Sequence, residues 1–142
     1  MREAAPALRR AARRLALGLE VVRAYLRVRR LRRRADLPTV LETLRARPAT
    51  RPQHPGDPVE TGRRLGRAVV RTLRLLPGDS RCLVRSLVLV DLLSARAIDA
   101  DLVIGVAPPA GCETLQAHAW VERGGVPLLR DDEHEFPRLA AL

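Results

Sequence analysis

A thiol, an imidazole and a carboxylate can together attack and cleave an acyl bond, and this chain carries one ordered set of them. Cys82 opens the apolar run CLVRSLVLVDLLS. His118 follows 36 residues later, inside QAHAWVER. Asp131 and Asp132 close a second apolar run, VPLL. A thiol in the first turn of a helix faces unpaired backbone N–H groups and the positive end of the helix dipole, which favour thiolate. Arg81 and Arg85 act in the same direction. The backbone N–H of a nucleophile so placed can also stabilise an oxyanion. The thiol needs a base, and His118 supplies one. The base needs an acceptor to orient it, for which Asp131 and Asp132 are both candidates. The resulting chemistry is a Cys–His–Asp attack on a carbonyl through a thioester.

Taken singly, each residue has an ordinary structural role. A buried cysteine packs as a small hydrophobe, a strand histidine can be structural, and Asp131-Asp132-Glu133 can be a solvated turn. Their joint order singles them out. Cys112 falls in a loop, where pairing with His118 is a minor alternative. His54 in a proline-rich segment and His134 in an acidic one read as solvent-exposed. These histidines and cysteines lack the close paired spacings of a structural zinc site, so neither metal nor cofactor is expected. Trp120 shares the His118 face of its strand, where it either packs or lines the substrate cleft.

The elements that must position these groups follow from periodicity and breakers. Residues 7–34 read as one or two arginine-laced helices, with Leu15, Leu19, Val22 and Leu26 at helical spacing. Pro38 starts a short helix over about 38–47. RPATRPQHPGDP is a linker or exposed loop. Helix resumes over about 59–76, with Leu65, Val69, Leu73 and Leu76 on one face. Asp79 or Ser80 can cap the helix that opens at Cys82, whose buried side carries Leu83, Leu87, Val90 and Leu93. A strand is expected at about 101–107, and Gly124-Gly125 turns two further runs into a hairpin. The order helix, strand, strand, strand makes an α+β unit. By this reading residues 1–58 form an arginine-rich helical region ending in the linker and residues 59–142 form the core, the two packed as one compact domain.

The chain has 142 residues, 46% of them hydrophobic but only 2% aromatic, so its core is aliphatic. Its net charge is +10: residues 1–76 hold 20 Arg against 6 acids, and residues 77–142 hold 6 Arg against 10 acids. The basic half can face an acidic peptide, an anionic membrane or nucleic acid, or its arginines can simply solvate helix faces. Without an aromatic stacking platform, nucleic acid is not expected as a partner. No apolar run reaches the roughly 18 residues of a membrane span, and no signal peptide is evident. Two cysteines are too few for a disulfide scaffold, which makes a reduced, cytoplasmic setting the default.

SRCLVRSLVLVDLLSARAIDADLVIGV, AHAWVERGGVPLL, an acid and FPRL together resemble the transglutaminase-like cysteine peptidases of lasso-peptide biosynthesis. These are the microcin-processing leader peptidases of bacteria, in their stand-alone form. The likeness covers residues 60–142, with a looser fit over 20–47. It implies a transglutaminase/papain-like core, a nucleophile helix followed by a small antiparallel sheet. It also implies Cys82 as nucleophile and His118 as base. The family's acid falls near Leu129 and Arg130 of this chain, so Asp131 is the nearest candidate and Asp132 the next. The implied activity removes the leader from a ribosomally made precursor peptide. The implied partners are that precursor, a small leader-binding recognition protein, and an asparagine-synthetase-like cyclase that closes the ring on the freed amine. The same triad also suits a transglutaminase-like acyl transferase or amidase. A non-catalytic basic scaffold that holds a peptide or nucleic acid is the reading from outside the enzymes.

Overall fold

Two helices begin where the sequence supplies an aspartate followed by a proline. Asp36 accepts a hydrogen bond from the Thr39 N–H and Pro38 occupies the first turn, so α2 runs Leu37–Arg45. Hydrogen bonding from Thr39, its side chain foremost, holds the Asp36 carboxyl below the usual carboxylate range. Asp57 accepts from the Val59 N–H ahead of α3, Pro58–Leu73. The computed structural model describes residues 4–51, 56–76, 82–107, 116–129 and 137–142. Before these helices comes α1, Ala4–Arg32; after them comes α4, Cys82–Ser94. Four strands follow: β1 (Asp101–Ala107), β2 (Gln116–Arg123), β3 (Val126–Pro127) and β4 (Arg138–Ala141). The architecture is α+β.

The α4 helix is the axis of the molecule. Its run from Leu87 to Leu93 is buried without a break, so it has no solvent face of the kind its leucine spacing suggests. A helix that is apolar all round must be enclosed. Here α1, α2 and α3 enclose it on one side and the sheet on the other, and all contribute to a single hydrophobic cluster.

One charge lies inside that enclosure. Asp91 is fully buried, and two arginines reach its carboxylate: Arg27 of α1, and Arg47 just past α2, whose Nη1 lies 3.1 Å from Oδ1. Nearby, Glu20 of α1 accepts from both terminal nitrogens of Arg96, at 2.9 and 3.0 Å. Three of the arginines therefore tie elements together instead of merely solvating helix faces.

The α1 helix turns a different face to the core than its leucines suggest. Val21, Ala24, Tyr25 and Val28 are buried, whereas Leu15, Leu19 and Leu26 are exposed. Both sets have helical spacing. The buried set has small or β-branched members that allow close approach to α3 and α4. Residues 6–16 are exposed on every side.

The sheet is antiparallel throughout, in the order β3-β2-β1-β4. Gly124 and Gly125 both have positive φ, 55° and 78°, which the tight β2–β3 turn requires. The second run of that hairpin pairs only at Val126 and Pro127, with one further bond from the Leu128 N–H to the Val121 carbonyl. β4 was not anticipated; it pairs with the other edge of β1.

The α3 helix lies almost on the backbone that follows β3. A Cβ added at Gly66 would stand 2.5 Å from the Leu128 carbonyl oxygen, which cannot move without its strand. At Gly62 the nearest atom is a Leu128 methyl, 2.7 Å away, on a side chain that can rotate. Gly66→Ala is therefore expected to destabilise the fold by about 1–3 kcal/mol and Gly62→Ala by less. Urea unfolding of the two variants checks the ranking.

Candidate active site

Cys82 is the first residue of α4, a half-buried free thiol. The position of this helix end follows from the sheet. Residues 95–100 connect α4 to the Asp101 end of β1, which pairs with Glu122 at the end of β2. The start of α4 therefore lies toward the start of β2. Carbonyls two residues apart on a strand point to the same edge. Val121 uses its carbonyl toward the β3 side, so Ala119 presents its own there too, beyond the point where β3 pairing stops. The buried Ser86 hydroxyl of α4 donates to that Ala119 oxygen at 3.0 Å. The helix thus meets the β2 edge at Ala119, beyond the described pairs with β3.

This bond sets the register between helix and strand. Cys82 stands one turn before Ser86, about 6 Å along the axis. His118 immediately precedes Ala119, about 3.3 Å along β2. The fold brings both to one end of the molecule, on a helix and a strand in direct contact. Ser86→Ala leaves a buried carbonyl without its donor, and a loss of about 1–3 kcal/mol is expected. Denaturant unfolding measures it, and a change within error would show that the bond holds nothing.

His118 lies opposite Gly105 of β1, which has no side chain, on the sheet face away from Ala119 and Val121. On the same face the Trp120 ring stacks on the imidazole, with centroids 5.9 Å apart and planes at 20°. The indole Nε1–H donates to Glu122 Oε1 at 2.6 Å. Glu122 is buried and also pairs with Arg138 of β4. Ser86, Glu122 and Arg138 were not singled out from the sequence. The available signals were a serine one turn after the cysteine in an otherwise apolar helix, and a glutamate two places after the tryptophan.

Asp131 and Asp132, the two candidate acids, lie outside the described residues, as do Cys112, His54, His134 and the capping candidates Asp79 and Ser80. Among the described residues no group of three or more His, Cys, Asp or Glu side chains could hold a metal ion, and no helix is long and apolar enough to cross a membrane. A groove of about 760 Å³ runs between α3 and the segment after β3. Arg63, Arg67, Arg71 and Arg74 line it over a floor that includes Val70 and Leu128.

Comparison with known proteins gives one result. The family model described as Transglutaminase-like superfamily matches residues 18–141, from the middle of α1 to the end of β4. Neither the curated proteins nor the solved structures yielded a match. The match takes in most of the arginine-rich helices as well as the sheet. With a partly exposed cysteine heading a central helix and a histidine on the strand against it, the chain belongs to the transglutaminase-like superfamily.

Proposed function

We propose that this chain is a cysteine peptidase that removes the leader from a ribosomally synthesised precursor peptide in lasso-peptide biosynthesis. The observation that carries the reading is the Ser86–Ala119 bond, which registers the Cys82 end of α4 against the His118 segment of β2. The Cys-Leu-x-Arg-Ser and His-Ala-Trp-Val-Glu elements supply the likeness to leader peptidases.

In this mechanism His118 accepts the Cys82 proton. The thiolate attacks the scissile carbonyl, and the imidazolium protonates the departing amine, which becomes the new N-terminus of the core peptide. The leader remains as a thioester on Cys82 until water, deprotonated by His118, releases it as a carboxylate. Asp131, or else Asp132, holds the imidazole tautomer, and Trp120 lines the cleft beside it. The setting is the bacterial cytoplasm. The partners are the precursor, a small leader-binding protein, and the cyclase that uses the freed amine. The arginines along the α3 groove favour an acidic peptide or an acidic partner surface: among the described residues no acidic side chain lines it, although Glu60 pairs with Arg67 at its edge.

The test is incubation of the chain with precursor and leader-binding protein, with mass analysis of the products. A single cut that leaves a free amine on the core supports hydrolysis. The family match also accommodates acyl transfer to an amine. A leader captured by an added amine in preference to water would replace hydrolysis with transfer. An uncut precursor, together with a Cys82 no more reactive to iodoacetamide at pH 6 than a model thiol, would reduce the chain to a binding scaffold.

A further inference from the structure

His118, Trp120 and Glu122 stand at every second position on the face of β2 opposite Ala119 and Val121. They form a connected chain. The indole stacks on the imidazole, its N–H is held by Glu122 at 2.6 Å, and Glu122 is held in turn by Arg138 from β4. Gly105 stands opposite both His118 and Arg138, so β1 places no side chain between them. Burial of a carboxylate is unfavourable unless it is paired and hydrogen-bonded. Glu122, only 5% exposed, is both, and one of its two partners is the ring that contacts the imidazole.

We propose that Glu122 and Arg138 are positioning residues that fix the His118 ring by anchoring Trp120 against it. The proposal rests on the reading of His118 as the catalytic base. The anchored indole restricts the imidazole to rotations parallel to its own plane. Its π-face also favours the imidazolium that forms when Cys82 gives up its proton. Among the described residues, β1 sets Asp101 opposite Glu122 and the bare Gly105 opposite His118, the β3 residues Val126 and Pro127 carry no charge, and α4, which packs on β2, begins with Cys82 and carries Arg85.

Trp120 is the only tryptophan, so its fluorescence reports this contact alone. An imidazolium quenches a stacked indole more than a neutral imidazole does. In the full-length protein, emission is expected to fall as pH is lowered through the imidazole range, about pH 8 to 5. His118→Ala removes that step. Glu122→Ala at least halves its amplitude, whereas Glu122→Gln, which keeps an oxygen for the indole N–H, retains it. In precursor cleavage, Glu122→Ala should lower kcat about tenfold with KM little changed, and Glu122→Gln should recover most of the loss. Where Glu122→Ala does not fold, Arg138→Met tests the same anchor and should shrink the same step. A step of undiminished amplitude in the anchor variants, or a Gln variant as impaired as the Ala variant, overturns the proposal. The fluorescence needs no substrate. A step that behaves as described in a protein that cleaves no precursor would therefore remove the peptidase reading and leave the anchor standing.

Discussion

Cys82→Ala should lower leader cleavage by about 10⁴-fold or more, the scale on which loss of a nucleophile acts when the rest of a triad can only bind substrate. The substitution removes one sulfur from a half-buried position at the edge of α4. Ser86, which holds the helix to β2, is untouched, so secondary structure and melting temperature should be close to wild type. That combination separates lost chemistry from lost fold. A variant that keeps a tenth of the wild-type rate would remove Cys82 from the mechanism. The same assay distinguishes the two acids: the aspartate whose change to Asn costs more in kcat, with His118 still present, is the one that orients the imidazole. Reactivity adds an independent reading. Iodoacetamide at pH 6 should label Cys82 faster in the wild type than in His118→Ala, because the imidazole no longer takes the proton.

The second large effect concerns stability. Replacing both Arg27 and Arg47 with Met leaves Asp91 charged, buried and unpaired in the last turn of α4, and a loss of about 3–5 kcal/mol is expected. Each single replacement leaves one guanidinium on the carboxylate and should cost clearly less than half of that, so the two effects are more than additive when combined. Asp91→Leu is the informative companion. It removes the buried charge, and the arginines it releases are 39% and 26% exposed and can return to water. It should be much milder than the double arginine change. Chemical unfolding of the four proteins measures this. A double variant as stable as either single one would show that the ion pairs do not hold the helix.

The parts of the fold that follow from local chemistry were readable in advance. The strand expected over 101–107 is β1, Pro38 lies in the first turn of α2, the helix expected from about 59 is α3, and Gly124-Gly125 turns the hairpin. The parts that depend on tertiary partners were not. Periodicity in α1 fits two neighbouring stripes equally well, and only the surfaces of α3 and α4 select Val21, Ala24, Tyr25 and Val28. Asp91 interrupts an apolar run visibly, but with 26 arginines in the chain nothing local identifies Arg27 and Arg47 as its partners. β4 is short, and its pairing with β1 is a long-range event. At the site, Cys82 and His118 were drawn from residue type and order. Ser86 and Glu122 act through contacts with a strand carbonyl and an indole, which a linear pattern does not encode.

The free half of α1 has a consequence for how sequence change is felt along this chain. Residues 6–16 are exposed throughout, and Leu8 and Leu15, with Leu19 and Leu26 beyond, present oily side chains to water at intervals of one or two turns. So short a stretch of helix is marginal when unsupported, and it persists as the outgrowth of a better-anchored second half. Replacements there should alter how the protein meets surfaces and other molecules, and leave the Cys82 end of α4 as it was.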